Sequence, residues 1–290
     1  MEIAYFKYFI ALLLFGSNGI VASYILFSSY EIVFYRTLIG SIFLIGLLVV
    51  LKYNPRQLLY KKKAVFFVSC SGIAMGFSWI CLFEAYVRNG VGISTLLYYC
   101  GPVFVIVVAP FIYKERLKKE KVFGIFIVLT GMFCLNGQSI FIGGLSLGFL
   151  FGIGSAILYA TMVIFNKKAI ALGGLENATV QLTVSFITVA IFLSFRQGIA
   201  VNISEENIIP IILLGIVNTG VGCYFYFSSI GKLPIQSVSI LGYLEPLSAV
   251  VFSMLILGEA LNLIQLVGAL LVLGGAAFAE LCRPKRVVHS

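Results

Sequence analysis

One carboxylate lies in a stretch of sequence that is otherwise suited to the interior of a membrane. Glu245 follows Gly242 and Tyr243 and precedes Pro246, near the middle of an apolar run over 234–257. A charge at the bilayer centre costs about 2.5–3.5 kcal/mol on insertion scales, so acids there usually face the protein interior and serve a function. We expect Glu245 to carry a proton or to act as the counter-ion of a substrate. The alternative is a carboxyl group that only stabilises the kink before Pro246.

The same interruption occurs 144 residues earlier, at Gly101 and Pro102. Proline removes a backbone hydrogen bond, and the carbonyl freed inside a membrane must be satisfied by protein or by a wet cavity. We therefore predict that helix breaks at Pro102 and Pro246, with their glycines Gly101 and Gly242, line one cavity. The offset continues through further pairs: Glu115 with Glu259, Gly124 with Gly268, and Gly131 with Gly275.

Two more charged residues fall within or at the edge of apolar runs. Arg36, near the start of the run 31–51, could bind a substrate carboxylate or neutralise Glu245, but it could equally extend outward to the interface. Glu84 precedes Arg88 by four residues, the favourable spacing for a pair on a helix surface. We predict a solvated pair there, with a role in an outer gate as the alternative.

Aromatic and amide side chains complete the candidate site. Rings beside one acid suit a protonated or quaternary amine through cation–π contact, or an aromatic amino acid through stacking, although each ring could instead serve helix packing. On the run 208–229, Asn218 and Phe225 share a helix face, and Asn218 is its polar member. On the run 65–86, Phe77 and Glu84 share a face that excludes Trp79. The remaining candidates are Tyr99, Tyr159, Tyr243 and Asn18.

The elements that must position these residues are membrane-spanning helices. The 290-residue chain is 61% hydrophobic and 11% charged, whereas about a quarter of a soluble domain is charged. One crossing takes about 20 apolar residues, so there is room for ten. We predict an all-α integral membrane protein with ten transmembrane helices, over 7–27, 31–51, 65–86, 91–113, 122–137, 145–166, 178–195, 208–229, 234–257 and 263–281. Glycines 124, 131, 268, 274 and 275 should allow close helix approach within hairpins or at a dimer face.

The basic residues predict the orientation. Of 20 Lys and Arg, 17 lie on one predicted side, only Arg88 and Arg196 on the other, and Arg36 within a run. This asymmetry places both termini in the cytoplasm and explains the net charge of +9 without nucleic acid.

Five spans per copy would insert the two halves, residues 1–138 and 139–290, in opposite orientations. Inverted repeats with matching broken helices indicate a transporter whose substrate lies near the midplane. The six cysteines lack metal-ligand spacing and the only histidine is His289, so we predict no metal, no cofactor and no enzymatic activity. A channel is less well supported, because one off-centre acid forms no ring of ligands.

Several motifs resemble those of the EamA family of the drug/metabolite transporter superfamily. They are Phe15-Gly16-Ser17-Asn18, the run from Leu96 to Val105, Lys114-Glu115-Arg116-Leu117, and the stretch from Gly242 to Leu261. The resemblance implies a bundle of ten helices in two inverted halves around a central cavity, which moves small metabolites across the cytoplasmic membrane.

The function predicted from the sequence is secondary active transport of a small polar metabolite, amino-acid or amine-like, by alternating access. Export or exchange is expected, with protons as a candidate coupling ion, in a monomer or a homodimer. The alternatives are an importer of a quaternary or other organic cation, and a membrane-embedded enzyme.

Overall fold

A computed structural model describes residues 2–54, 58, 60–89, 91–113, 119–136, 147–196, 205–258 and 262–281. All regular elements in these ranges are helical. Glu115, Glu259, the motif at 114–117 and the predicted boundary between 138 and 139 lie outside the described residues, so that boundary stays a prediction.

The helices follow the apolar runs of the sequence. In the first half they are α1 (Glu2–Gly16), α2 (Asn18–Ser23), α3 (Ser29–Val50), α4 (Lys62–Asn89), α5 (Val91–Tyr98), α6 (Gly101–Tyr113) and α7 (Lys119–Asn136). In the second half they are α8 (Leu147–Lys167), α9 (Gly174–Arg196), α10 (Glu205–Leu213), a π-helical segment (Leu214–Val221), α11 (Gly222–Ile230), α12 (Ile235–Leu241), α13 (Leu244–Leu257) and α14 (Leu263–Leu281). Helices satisfy every backbone group within one segment, as a bilayer requires.

Seven helical stretches of the described chain are long and apolar enough to cross a membrane. They are Glu2–Ser23, Ser29–Val50, Lys62–Arg88, Leu147–Lys167, Gly174–Arg196, Glu205–Ile230 and Ile235–Ile256. Two shorter apolar helices cover Gly101–Tyr113 and Leu263–Ala279. Large apolar side chains such as Phe111, Phe126 and Phe195 are exposed on the outside of the bundle, as lipid-facing residues would be. The chain is a multi-pass membrane protein, and the count of ten crossings stays a prediction.

The glycines of α7 and α14 join the two halves. A Cβ on Gly124 would lie 2.9 Å from the Gly275 carbonyl oxygen, and one on Gly131 would lie 2.7 Å from that of Gly268. The two helices are therefore antiparallel. Gly124 faces Gly275, the counterpart of Gly131, and Gly131 faces Gly268, the counterpart of Gly124. The predicted close approach is present at Gly124, Gly131 and Gly275, but it joins α7 to α14 of the other half rather than the two helices of one hairpin. Nothing lies within 4 Å of a Cβ on Gly274, so a place for that glycine at a dimer face stays a prediction.

Other contacts also obey the 144-residue offset. The Tyr243 hydroxyl donates to the carbonyl oxygen of Tyr99, its own counterpart, at 2.8 Å. Gly101 on α6 packs against Ala156 and Tyr159 of α8, while α13 packs through the Glu245 carbonyl against Gly16 of α1. The two halves thus place equivalent helices in equivalent contacts.

Candidate functional site

Both predicted helix breaks are present in the structure. Helix α5 ends at Tyr98 and α6 begins at Gly101, while α12 ends at Leu241 and α13 begins at Leu244. Pro102 and Pro246 are the second and third residues of the helices that follow, where a missing N–H costs little because no intrahelical acceptor is available. Each half therefore turns at the same point of its sequence.

Tyr243 ties the two breaks together. Its side chain is fully buried, its hydroxyl is donated to the Tyr99 carbonyl oxygen, and the two ring centroids lie 6.5 Å apart. In the structure Tyr243 therefore connects the two helix breaks, whereas the sequence suggested that it lines the substrate site.

Tyr159 of α8 lies against both breaks. A Cβ on Gly101 would come within 2.6 Å of the Tyr159 ring, and one on Gly242 would lie 3.7 Å from its hydroxyl. That hydroxyl shares a hydrogen bond of 3.0 Å with Tyr226. Position 101 consequently has room only for glycine while the Tyr159 ring lies over it.

Glu245 lies in the first turn of α13, deep within the bundle, yet its side chain is only half-buried. The Tyr99 hydroxyl lies within hydrogen-bonding reach of the carboxylate. The other tyrosines within electrostatic range are Tyr8, Tyr86, Tyr98 and Tyr159.

Arg36 of α3 is 8% exposed and points into the same region. Its Nε donates to Thr219 Oγ1 at 2.9 Å, and its guanidinium lies 4.9 Å from the Trp79 ring centroid. Arg36 and Glu245 are within electrostatic range of each other, but among the described residues neither forms an ion pair. Arg36 therefore does not extend outward to the membrane interface. Its guanidinium and the Glu245 carboxylate have opposite charges but do not form an ion pair with each other.

The predicted orientation of Trp79 was wrong. Phe77 is 43% exposed on the outside of the bundle, whereas Trp79 is partly buried and packs against Arg36. The face of α4 that carries Trp79 therefore points inward, and Tyr86, two turns further along, follows it.

Glu84 does not form the predicted solvated pair with Arg88 alone. Its side chain is 6% exposed, and its carboxylate accepts a hydrogen bond from Arg88 Nε at 3.4 Å and also pairs with Arg196 of α9. At the other end of α9, Glu176 pairs with Lys61 at 2.8 Å and accepts a hydrogen bond from Tyr53. These carboxylates connect α4 and its preceding turn to α9 at both ends.

The remaining predicted residues lie near α1. Asn218 donates to the Leu14 carbonyl oxygen at 2.7 Å and to Ser17 Oγ at 2.8 Å, so it stabilises the junction between α1 and α2. Asn18 begins α2, and its Oδ1 is buried without a hydrogen-bond partner in the described chain. Phe225 is half-buried, with the Lys7 amine 5.8 Å from its ring centroid.

Three residues at the site were not predicted from the sequence. Tyr86 could have been found, because it lies seven residues after Trp79 and thus on the same helix face. Tyr8 and Thr219 carry no comparable signal, since each directly follows another polar residue, Lys7 and Asn218, and its spacing does not single it out. Within the described ranges, no three His, Cys, Asp or Glu side chains come together to hold a metal ion.

Comparison with known proteins agrees with this architecture. The profile of the EamA-like transporter family matches residues 2–137 and 146–280, one match in each half. An uncharacterized transporter, YxxF of Bacillus subtilis (strain 168), is 27% identical over 280 residues, which cover 94% of this chain and 88% of that protein.

Two further relatives and one solved structure extend the comparison. The uncharacterized inner membrane transporter YhbE of Escherichia coli (strain K12) is 25% identical over 86% of this chain and 82% of its own length. A protein named "Probable amino-acid metabolite efflux pump" from Salmonella typhimurium is 25% identical over 70% of this chain and 73% of its own length. One crystal structure, 18% identical, has the same fold with a TM-score of 0.81 over 97% of both chains. Because the family profile matches nearly the whole of both halves, the chain belongs to the EamA-like transporter family.

Proposed function

We propose that this transporter moves a small amino-acid-like zwitterion across the cytoplasmic membrane, by export or exchange. The observation that carries the proposal is that the buried Arg36 and the half-buried Glu245 act on each other electrostatically, yet among the described residues no ion pair joins them. A charge kept from water without an opposite charge beside it is costly. An ammonium group at Glu245 and a carboxylate at Arg36 would compensate both charges with one molecule.

The same observation favours a zwitterion over the alternative of an organic cation. A quaternary ammonium could contact Glu245 and the tyrosine rings, but it would leave Arg36 uncompensated and would be repelled by it. The name of the Salmonella relative, an amino-acid metabolite efflux pump, favours the zwitterion as well.

The arrangement of the two halves supports alternating access. Contacts close the lysine-rich end of the bundle: Tyr8 donates to the Val238 carbonyl oxygen at 2.7 Å and Lys167 to that of Leu233 at 2.8 Å. If that end faces the cytoplasm, as the basic residues predict, this conformation is closed to the cytoplasm. Rocking of the two halves about the breaks would open that side.

Glu245 also supplies a route to proton coupling. One carboxylate cannot hold a proton and a substrate ammonium at full strength together, because protonation removes the charge that attracts the ammonium. A proton entering from outside would release the substrate there, and loss of the proton inside would restore the site. This competition produces exchange of substrate for protons.

Counterflow in proteoliposomes tests the proposal. Purified protein is reconstituted and supplied with a panel of amino acids and the amines that lack their carboxylate, with and without a pH gradient. We expect counterflow of at least one amino acid, driven by the gradient. Glu245→Gln should abolish it without changing the elution profile, and Glu205→Gln, which alters an exposed carboxylate at the start of α10, should leave it intact.

Three results would argue against the proposal. Normal flux in Glu245→Gln would remove the acid from the mechanism. Faster movement of amines than of amino acids would restore the organic-cation alternative. Conversion of a panel compound without its movement would restore the membrane-embedded enzyme.

A further inference from the structure

Among the described residues, π-helix occurs only at Leu214–Val221, in the second half. This segment joins α10 to α11. The equivalent stretch of the first half, residues 70–77, lies inside α4 and is ordinary α-helix. A π-helix widens the turn, is rare, and is found mostly at functional sites. The segment is therefore a second difference between the halves, alongside Glu245.

The widened turn presents Thr219 to Arg36. Thr219 is fully buried, and its hydroxyl donates to the Leu214 carbonyl oxygen at 2.8 Å, five residues back. With its proton engaged in this way, Oγ1 accepts the hydrogen bond from Arg36 Nε at 2.9 Å. A threonine hydroxyl in a regular helix usually donates to a carbonyl three or four residues back, so the five-residue span belongs to the π geometry.

Trp79 restrains the guanidinium from another direction. Its ring centroid lies 4.9 Å from the Arg36 guanidinium carbon. Within the described residues, the bond from Nε to Thr219 is the only hydrogen bond that Arg36 makes. The two terminal nitrogens therefore remain available as a pair of donors, the arrangement that binds a carboxylate in a bidentate manner.

We propose that Thr219, presented by the π-helical segment, is the positioning residue that holds Arg36 as the carboxylate-binding group of the transport site. The identity of the bound carboxylate rests on the proposed function. The positioning of Arg36 does not, because it can be measured without a substrate.

The first experiment uses the intrinsic fluorescence of Trp79, the only tryptophan of the chain. Emission is recorded from detergent-purified full-length protein and from Arg36→Gln, Thr219→Val and Thr219→Ser. We expect Thr219→Val to reproduce the change in emission caused by Arg36→Gln, because both remove the guanidinium from the ring. Thr219→Ser keeps the hydroxyl and should resemble the unaltered protein.

Thr130→Val is the matched control. Thr130 is exposed on α7 and its hydroxyl donates only to the Phe126 carbonyl oxygen, so this change should not alter Trp79 emission. If Thr219→Val does not yield folded protein, Thr219→Ala provides the same comparison. Emission of the Thr219 variant equal to that of the unaltered protein, alongside a clear effect of Arg36→Gln, would overturn the proposal.

The second experiment measures selectivity with the amino acid that gives the strongest counterflow and with its decarboxylated amine. Thr219→Val should raise the KM for the amino acid about tenfold, the scale of one lost hydrogen bond to a charged group, and leave that for the amine unchanged. An equal loss for both compounds would show that Thr219 has only a structural role. If the unaltered protein moves no amino acid, the proposed function fails, while the fluorescence comparison still tests the positioning of Arg36.

Discussion

Tyr99 makes two interactions, one through its backbone carbonyl and one through its side-chain hydroxyl. Its carbonyl oxygen accepts the Tyr243 hydroxyl across the two breaks, and its own hydroxyl lies within reach of Glu245. Because backbone and side chain belong to one residue, a shift of either break would move a donor toward or away from the acid. A movement of the helix breaks would therefore change the hydrogen bonding of the Glu245 carboxylate.

Tyr53 provides a test outside the membrane-spanning helices. Burial and its hydrogen bond to Glu176 raise the pKa of Tyr53 from 10.0 to about 12. The protonated phenol is therefore favoured by folding. Its contribution to stability should be complete below pH 10 and be lost as the pH rises through about 12.

Melting temperatures of the purified protein between pH 8 and pH 12 check this prediction. The unaltered protein should melt above Tyr53→Phe up to about pH 10, and the difference should shrink toward pH 12. Tyr60→Phe is the control, because Tyr60 is 90% exposed. A difference that stays constant over this range would contradict the prediction.

At the scale of elements, the sequence predicted the positions of the helix breaks but not the faces of the helices. Proline and glycine act locally, so Pro102 and Pro246 mark their breaks without knowledge of the fold. The face of α4 depends on which side meets lipid, and Phe77 and Trp79 are both apolar enough for either. The π-helical segment carries no compositional signal, since one extra residue per turn changes no residue type. The Arg196 partner of Glu84 lies 112 residues away in sequence, beyond the reach of any local rule.

Gly131 and Gly274 should respond to alanine in opposite directions. A Cβ at Gly131 would lie within 2.9 Å of Gly268, Val272 and Leu271, two of these contacts being with backbone atoms, whereas nothing lies within 4 Å of one at Gly274. Overpacking costs about 1–3 kcal/mol, while alanine in place of glycine in an open helix position gains up to about 1 kcal/mol.

Thermal unfolding in detergent measures both changes. We expect Gly131→Ala to lower the melting temperature and Gly274→Ala to raise it or leave it unchanged. Equal effects of the two substitutions would mean that α7 and α14 are not in the close contact described.

At the scale of the whole molecule, α4 and α9 form a parallel pair drawn from different halves. A Cβ on Gly72 would lie 2.7 Å from the Gln181 carbonyl oxygen, and Glu84 and Glu176 connect the two ends. The pair α7 and α14 also joins the two halves, and α8 of the second half packs against both α4 and α6 of the first. The halves are therefore in contact along several pairs of helices.

Glu84→Gln tests the contact between α4 and α9. Both arginine partners keep more than two fifths of their side chains exposed, so water can replace much of the lost interaction, and we expect a loss of about 1 kcal/mol in stability. The substrate KM should not change. Glu205→Gln controls for the loss of an outer carboxylate. An altered transport rate at unchanged melting temperature would instead favour the outer-gate role.

The hydrogen bond between Tyr99 and Tyr243 has a consequence for the history of the chain. A residue that touches its own counterpart lies on a twofold axis, and in a homodimer of five-helix units every substitution near that axis would appear twice. An acid at position 245 would then require a second acid at position 101, where the Tyr159 ring now lies. In a single polypeptide the two copies change independently, so one can carry a carboxylate while the other keeps the glycine that makes room for the ring.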